Sequence, residues 1–282
     1  MAANYKDIMG DIKNQSDIYA YYFTTFYELA INRFKWENLP TEIDPRYLEM
    51  SLCNSGGVIW FFDELLGYAA LQCAWTGFDN YYNPTDFDVI TPTGFSAHVD
   101  KEEGVMIWNN FMRVADIPFI HMFAKNISDV YESAMVNCKS QKHPVAIYAE
   151  SEKEKLSLEN AYMKVEGNHP IIYVKGKNMI DRFGTIDTKA PFVAPELFNI
   201  KDKMMEEFLK WLGVKIPLIN GRERLLDAEQ QDANAVTFQL RNRGLHAREV
   251  AAEEINRRFG LNLRVSFNED LASLVTESGV ME

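Results

Sequence analysis

The chain has 282 residues, 47% of them apolar and 25% charged, which is the composition of a polypeptide that folds around a core and not of a disordered one. Asp and Glu outnumber Lys and Arg by 41 to 29, and the formal charge of −12 argues against a protein that coats nucleic acid over its whole surface. No apolar run reaches the roughly 18 residues of a membrane span, the opening Met1-Ala2-Ala3-Asn4-Tyr5-Lys6-Asp7 lacks the features of a secretion signal, and Cys53, Cys73 and Cys138, an odd number at wide spacing without a C-x-x-C pair, read as buried free thiols in a reducing cytoplasm.

The first predicted element is a helix over about 16–34. Ser16 and Asp17 offer an N-cap, and Ile18, Tyr21, Tyr22, Phe26, Leu29 and Ile31 crowd a wide face. So many aromatics imply burial on more than one side, in a core or against a neighbouring subunit. Residues 36–40 break the pattern, and Asp44-Pro45 reopens it as a short capped helix to about Leu52. Residues 58–62 and 67–71 read as two strands of a hairpin turning at Asp63-Glu64. The Asn, Asp, Pro, Thr and Gly of residues 77–97 predict a surface loop, and 105–108 one more strand.

A long amphipathic helix is predicted over about 118–139, with Phe119, Phe123, Ile127, Val130, Ala134 and Cys138 at three- and four-residue steps. At 1.5 Å per residue it is a rod of roughly 33 Å. Residues 143–192 read as a small β-rich insert, with strands at 144–149 and 170–174 and a short helix at about 156–163. A second rod over about 195–212 carries Leu197, Ile200, Met204, Phe208 and Leu212, with Pro195 in its first turn and Gly213 just past its end. Two such rods can run antiparallel and hold the insert at their far end. Residues 216–237 are polar and weakly patterned, so a flexible stretch is expected there. A helix from about Leu245 to Gly260 and an alternating strand through Leu261, Leu263, Val265 and Phe267 follow.

Motifs for chemistry are missing from this sequence. It has no G-x-x-x-x-G-K-[ST], G-x-G-x-x-G, H-E-x-x-H or G-x-S-x-G. His98, His121, His143, His169 and His246 are scattered and read as surface or packing residues. Asp86-Phe87-Asp88 looks like a divalent-metal pair only superficially, because no third carboxylate follows at a calcium-loop spacing. Glu206-Glu207 and Glu253-Glu254 read as solvated or intersubunit faces. No catalytic residue, metal or cofactor is therefore expected. Lys201, Lys203 and Lys210 on the second rod, with Arg222 and Arg224 in the polar stretch, are too sparse for a nucleic-acid site in a monomer. In a ring each would repeat about the axis and become a belt of positive charge.

Five blocks of sequence come in a fixed order. The first is Phe34-Lys35-Trp36-Glu37-Asn38-Leu39-Pro40, continued by Ile43-Asp44-Pro45 and Leu48-Glu49. The second is Leu156-Ser157-Leu158 with Tyr162 and Glu166-Gly167-Asn168 leading to Pro170, and the third is Ala190-Pro191-Phe192-Val193. The fourth runs through Phe208-Leu209-Lys210-Trp211-Leu212-Gly213-Val214-Lys215. The fifth is Arg222-Glu223-Arg224, leading to Glu254-Ile255-Asn256 and Phe259-Gly260-Leu261-Asn262-Leu263. Together they resemble the portal protein (upper collar, or head–tail connector) of small short-tailed phages with protein-primed genomes, over residues 17–268.

The resemblance implies an α+β, funnel-shaped protomer. Its parts would be an N-terminal wing at 1–117, two long antiparallel stem helices at 118–141 and 194–215, a β-rich clip at 142–193, a flexible channel loop at 216–236 and a C-terminal wing helix plus strand at 237–282. It implies a ring, typically a dodecamer, at one capsid vertex of the virion, assembled in the host cytoplasm. Double-stranded viral DNA would be packaged and ejected through it. Lys201, Lys203, Lys210, Arg222 and Arg224 would then be channel cations, and Asn220, Gly221, Glu223, Asp227, Glu229 and Asp232 would belong to the channel loop. The chain would be a passive conduit and not an enzyme. Its partners would be copies of itself, a packaging ATPase, the major capsid and scaffolding proteins and a lower collar or tail protein. The aromatic helix and the stem rods would be the candidates for contact between copies. The opening residues are barely basic where the family can carry a basic cluster, which leaves a packaging RNA in doubt; Gly221 also stands where the family can carry a second basic residue. Two alternatives stand beside this reading: another ring-forming adaptor such as a lower collar or tail nozzle, and a metal-dependent nuclease using Asp86 and Asp88.

Overall fold

The computed structural model describes residues 16–141, 145–148, 151–153, 156, 171–174, 191–214 and 227–271. The chain divides into two units, residues 1–128 with 204–282 and residues 129–203.

In the first unit, helix α1 (Asp17–Ile31) starts where the sequence places its cap. The Ser16 side chain accepts a hydrogen bond from the Tyr19 N–H at 3.3 Å. Tyr19, Tyr22, Phe23, Phe26, Leu29 and Ala30 are buried. Phe26 stacks on Phe208 with centroids 3.9 Å apart, and Phe123 meets the same ring edge-on at 5.4 Å. Each such buried aromatic contributes on the order of 1.5–3 kcal/mol. The aromatic face of α1 is therefore spent inside this core, and most of it is not free to meet a neighbouring copy.

Strand β1 (Phe34–Glu37) follows at once. Helix α2 (Pro45–Ser55) opens on Asp44, whose carboxylate accepts from the Arg46 N–H at 2.9 Å. It closes on Gly56 in the left-handed conformation at φ 83°, where an added Cβ would meet the Arg113 carbonyl oxygen at 2.9 Å. Strands β2 (Gly57–Asp63) and β3 (Gly67–Leu71) make the expected hairpin.

The expected loop over 77–97 is instead most of a second sheet. Strands β4 (Cys73–Phe78), β5 (Pro84–Ile90) and β6 (Ser96–Asp100) pair antiparallel in the order β4-β5-β6. The turn-rich composition concealed a period of two, because Phe87 and Val89 point into the core while Asp86 and Asp88 point out. The polar residues are concentrated in the two tight turns. In one, Asp79 accepts from the Tyr81 and Asn83 N–H groups; in the other, Gly94 sits at φ 89°. Strand β7 (Val105–Trp108) then returns to the first sheet and completes the order β3-β2-β7.

Helix α3 (Ile117–Ser140) and helix α4 (Ala194–Leu212) are the two expected rods. In the first unit they pair antiparallel through Phe119 with Trp211 and Phe123 with Phe208. In the second unit they do so through Tyr131 with Phe198, and through Asn137, whose Oδ1 accepts from the N–H groups of Val193 and Ala194 at 3.0 and 3.1 Å. Asn137 thus caps α4 from another helix. Strands β8 (Val145–Tyr148) and β9 (Ile171–Val174) pair in parallel, as a connection of this length permits. The expected helix at 156–163 lies outside the described residues beyond Leu156.

Gly213 ends α4 at φ 83° in a Schellman arrangement, its N–H on the Lys210 carbonyl and the Val214 N–H on that of Leu209. The last helix, α5 (Asp227–Phe259), begins eighteen residues before the expected start. Ala, Glu, Gln and Leu between Asp227 and Leu240 favour helix intrinsically but mark no single apolar stripe, so the periodicity was invisible. From Leu245 on, the helix buries Arg248, Ala251, Ala252 and Ile255, and there the pattern was legible. Strand β10 (Arg264–Phe267) pairs antiparallel with β1.

Candidate nucleic-acid interface

Of the cations expected to line a channel, Lys201, Lys203 and Lys210 fall among the described residues. Lys201, on α4 in the second unit, is mostly covered; its Nζ pairs with Asp202 at 2.9 Å and lies 6.0 Å from the Phe198 ring centre. Lys203, two residues on, is exposed. Two helical steps of 100° aim these side chains in nearly opposite directions, so they do not form one cationic patch within a protomer. Lys210, in the first unit, is exposed with Glu206 3.9 Å away. Asn220, Gly221, Arg222, Glu223 and Arg224 lie outside the described residues. Asp227, Glu229 and Asp232 belong to α5 and not to a loop, which corrects the expected boundary of the flexible stretch at 216–236 for its second half.

The chemistry that the sequence did not gather is on the outer face of the second sheet. Pairing sets Asp86 opposite Asp100 and Asp88 opposite His98. The His98 Nδ1 is 2.7 Å from Asp88, and its Nε2 is 3.3 Å from Asp100 and 3.8 Å from Asp86. The Asp88 hydrogen bond, with the surrounding carboxylates, raises the His98 pKa above its ordinary value. Among the described residues, Asp86, His98 and Asp100 are close enough to share a cation, but His98 and Asp100 are exposed, Asp86 is half-buried, and His98 when protonated would itself supply positive charge between them. The nuclease pair Asp86 and Asp88 is thus engaged with a histidine on an open sheet face. Only the strand register joins His98 to the acidic pair; a sequence signal for it would have been the alternation of 84–90 and 96–100.

A buried ionic network ties the last helix to the first half of the chain. Arg248 donates from Nε and Nη2 to both oxygens of Glu49 at 2.8 and 2.7 Å, and to Asn109 and the Gly244 carbonyl with the remaining protons. All five of its N–H groups are satisfied. Glu49 also accepts from the Trp36 indole at 2.8 Å. Trp36 and Glu49 belong to the first sequence block quoted above, so that block encodes a buried hydrogen-bonded cluster. The fifth block does similar work: the Asn256 side chain donates to the Leu263 carbonyl and accepts from the Leu263 N–H.

The described residues form paired rods, two three-stranded sheets, two strand pairs and a buried ionic clasp, with the His98 cluster on an open sheet face. Residues 4–272 match the Phage Connector (GP10) family, and the chain belongs to that family of phage head–tail connectors. Among solved structures it is similar to a chain of the portal and tail of native bacteriophage P68, at 16% identity over 98% of this chain and 97% of that one, with a TM-score of 0.49. It is also similar to an HK97-family phage portal protein from Corynebacterium diphtheriae, at 11% identity over 92% and 95% of the two chains, with a TM-score of 0.39. Among the described residues no helix is long and apolar enough to cross a membrane.

Proposed function

We propose that this connector works as a portal: a ring of copies at one capsid vertex of the virion, through which double-stranded DNA enters the head during packaging and leaves at ejection. The match to the connector family over residues 4–272 carries this reading. In it the chain is a passive conduit, and a separate packaging ATPase supplies the energy, since the sequence holds no phosphate-cradling loop. The capsid and scaffolding proteins would surround the ring and a lower collar or tail protein would continue it. The rods α3 and α4 would form its stem and residues 142–193 its clip.

An acidic protein suits a conduit. Each neutralised phosphate strengthens and prolongs DNA binding, so a lumen rich in cations would hold the duplex instead of letting it slide. Lys201, Lys203 and Lys210, with Arg222 and Arg224, would each contribute one charge per copy and so a few belts against a repulsive wall. Sizing with light scattering on the full chain, followed by negative-stain images down the particle axis, tests the reading. A closed ring with a central hole is expected, and a mass near that of the 32.5 kDa chain overturns it.

A further inference from the structure

We infer that neighbouring copies in the ring meet through the β2–β3 hairpin tip of one copy and the groove between β7 and α5 of the next. The inference rests on the portal reading and names the contact that reading requires.

The tip is an unusual turn. Turns favour small polar residues, yet this one presents Leu65, 83% exposed, with Leu66 and Phe62 also exposed beside it. Its shape is fixed: the Asp63 carboxylate accepts from the N–H groups of Leu65 and Leu66 at 2.8 and 3.1 Å, and Gly67 closes it at φ 74°. A rigid knob of three apolar side chains has no use in water.

The groove has a volume of about 600 Å³ and an apolar floor that includes Phe87, Met106, Trp108 and Val250, the last 51% exposed on α5. The surface continues beside it onto Phe111, Met112, Tyr81 and Tyr82, all strongly exposed. This apolar rim is held in place. Arg113 donates to the Tyr82 carbonyl and the Asn83 side chain, while Asn109 and Asn110 both donate to the Val114 carbonyl. Tyr82 and Arg113 sit at φ 62° and 58°, strained values for residues with side chains. Hydrogen bonds and backbone strain together keep apolar groups facing outward, which marks a contact surface.

Two features make a second copy the occupant. First, the tip lies at the end of the β2–β3 hairpin, whereas the groove runs along β7, the edge strand of the order β3-β2-β7, so the two are different patches. A closed ring needs a head-to-tail contact between two different patches, one on each flank of the protomer. Second, the charges complement each other. The tip is surrounded by Asp63, Glu64 and Glu42, whereas the groove carries Lys101 and Arg113 beside Arg257 and Arg258, which share Glu254, so that its cations outnumber its carboxylates.

The test uses two variants of the full chain, L65E/L66E at the tip and V250E in the groove. All three residues are exposed, and circular dichroism identical to the parent is expected for both. Light scattering should show loss of the ring in each variant alone. An equimolar mixture should give a dimer of about 65 kDa and nothing larger, twice the 32.5 kDa chain. In that dimer the intact tip of the groove variant sits in the intact groove of the tip variant. Rings formed by either variant, or a mixture that stays monomeric, overturn the inference while leaving the portal reading intact. A parent chain that is itself monomeric overturns both.

Discussion

His98 is the residue whose surroundings say most about its behaviour. Folding places it against Asp88, Asp100 and Asp86, and its pKa rises above the ordinary 6.5. The protonated form is the one the fold favours. Its contribution to stability is therefore fully present below about pH 6.5 and is lost as pH rises through the higher folded value. An NMR titration of the His98 ring should give a midpoint above 6.5, and D88N should bring it down; a parent midpoint at or below 6.5 contradicts the geometry. Arg248 is the opposite case, a charge sealed in the core. Replacing it with Met strands the Glu49 carboxylate, and chemical denaturation should show a loss of about 3–5 kcal/mol. A loss under about 1 kcal/mol would mean that Glu49 finds water or another partner. Burial also raises the thiol pKa of Cys53, and that of Cys73 to about 12, so both should react slowly with thiol reagents in the native state.

At the scale of the element, the rods were legible because burial on one side writes a period of 3.6 into the sequence. Phe119, Phe123 and Ile127 on α3, with Phe208 and Leu212 on α4, stand where that period puts them. The second sheet was not legible, since its exposed strand faces are as polar as a loop and only Phe87, Val89 and Val99 mark the inner side. The first half of α5 escaped for a related reason: intrinsic propensity forms it, and propensity leaves no stripe. Asn137 was equally hidden, because a cap supplied by another helix has no local signature. N137A removes the acceptor that satisfies the first N–H groups of α4, and should cost about 0.5–2 kcal/mol. Hydrogen exchange should show faster opening at Val193 and Ala194, with α1 unaffected.

The whole molecule carries a net charge of −12, so the contact with DNA that the portal reading proposes should be weak, with a salt dependence set by the few cations that reach phosphate. If Lys203 and Lys210 face the duplex, then in K203Q/K210Q the slope of log affinity against log salt concentration should become shallower. A slope unchanged from the parent removes those lysines from the channel. The aromatic helix, one of the expected contacts between copies, buries Phe23 and Phe26 in the core and leaves Tyr21 exposed.

By itself the sequence determined the rods, the helix caps at Ser16, Asp44 and Gly213, the first hairpin and the family. These depend on neighbours a few residues apart or on blocks that persist in order along the chain. Only the tertiary structure decided that Arg248 closes on Glu49, that His98 stands among three aspartates, and that Leu65 and Val250 are left exposed on separate patches. Arg248 and Glu49 are almost 200 positions apart and His98 and Asp88 are 10 apart, and strand register and helix packing bring them together without leaving a mark in local sequence.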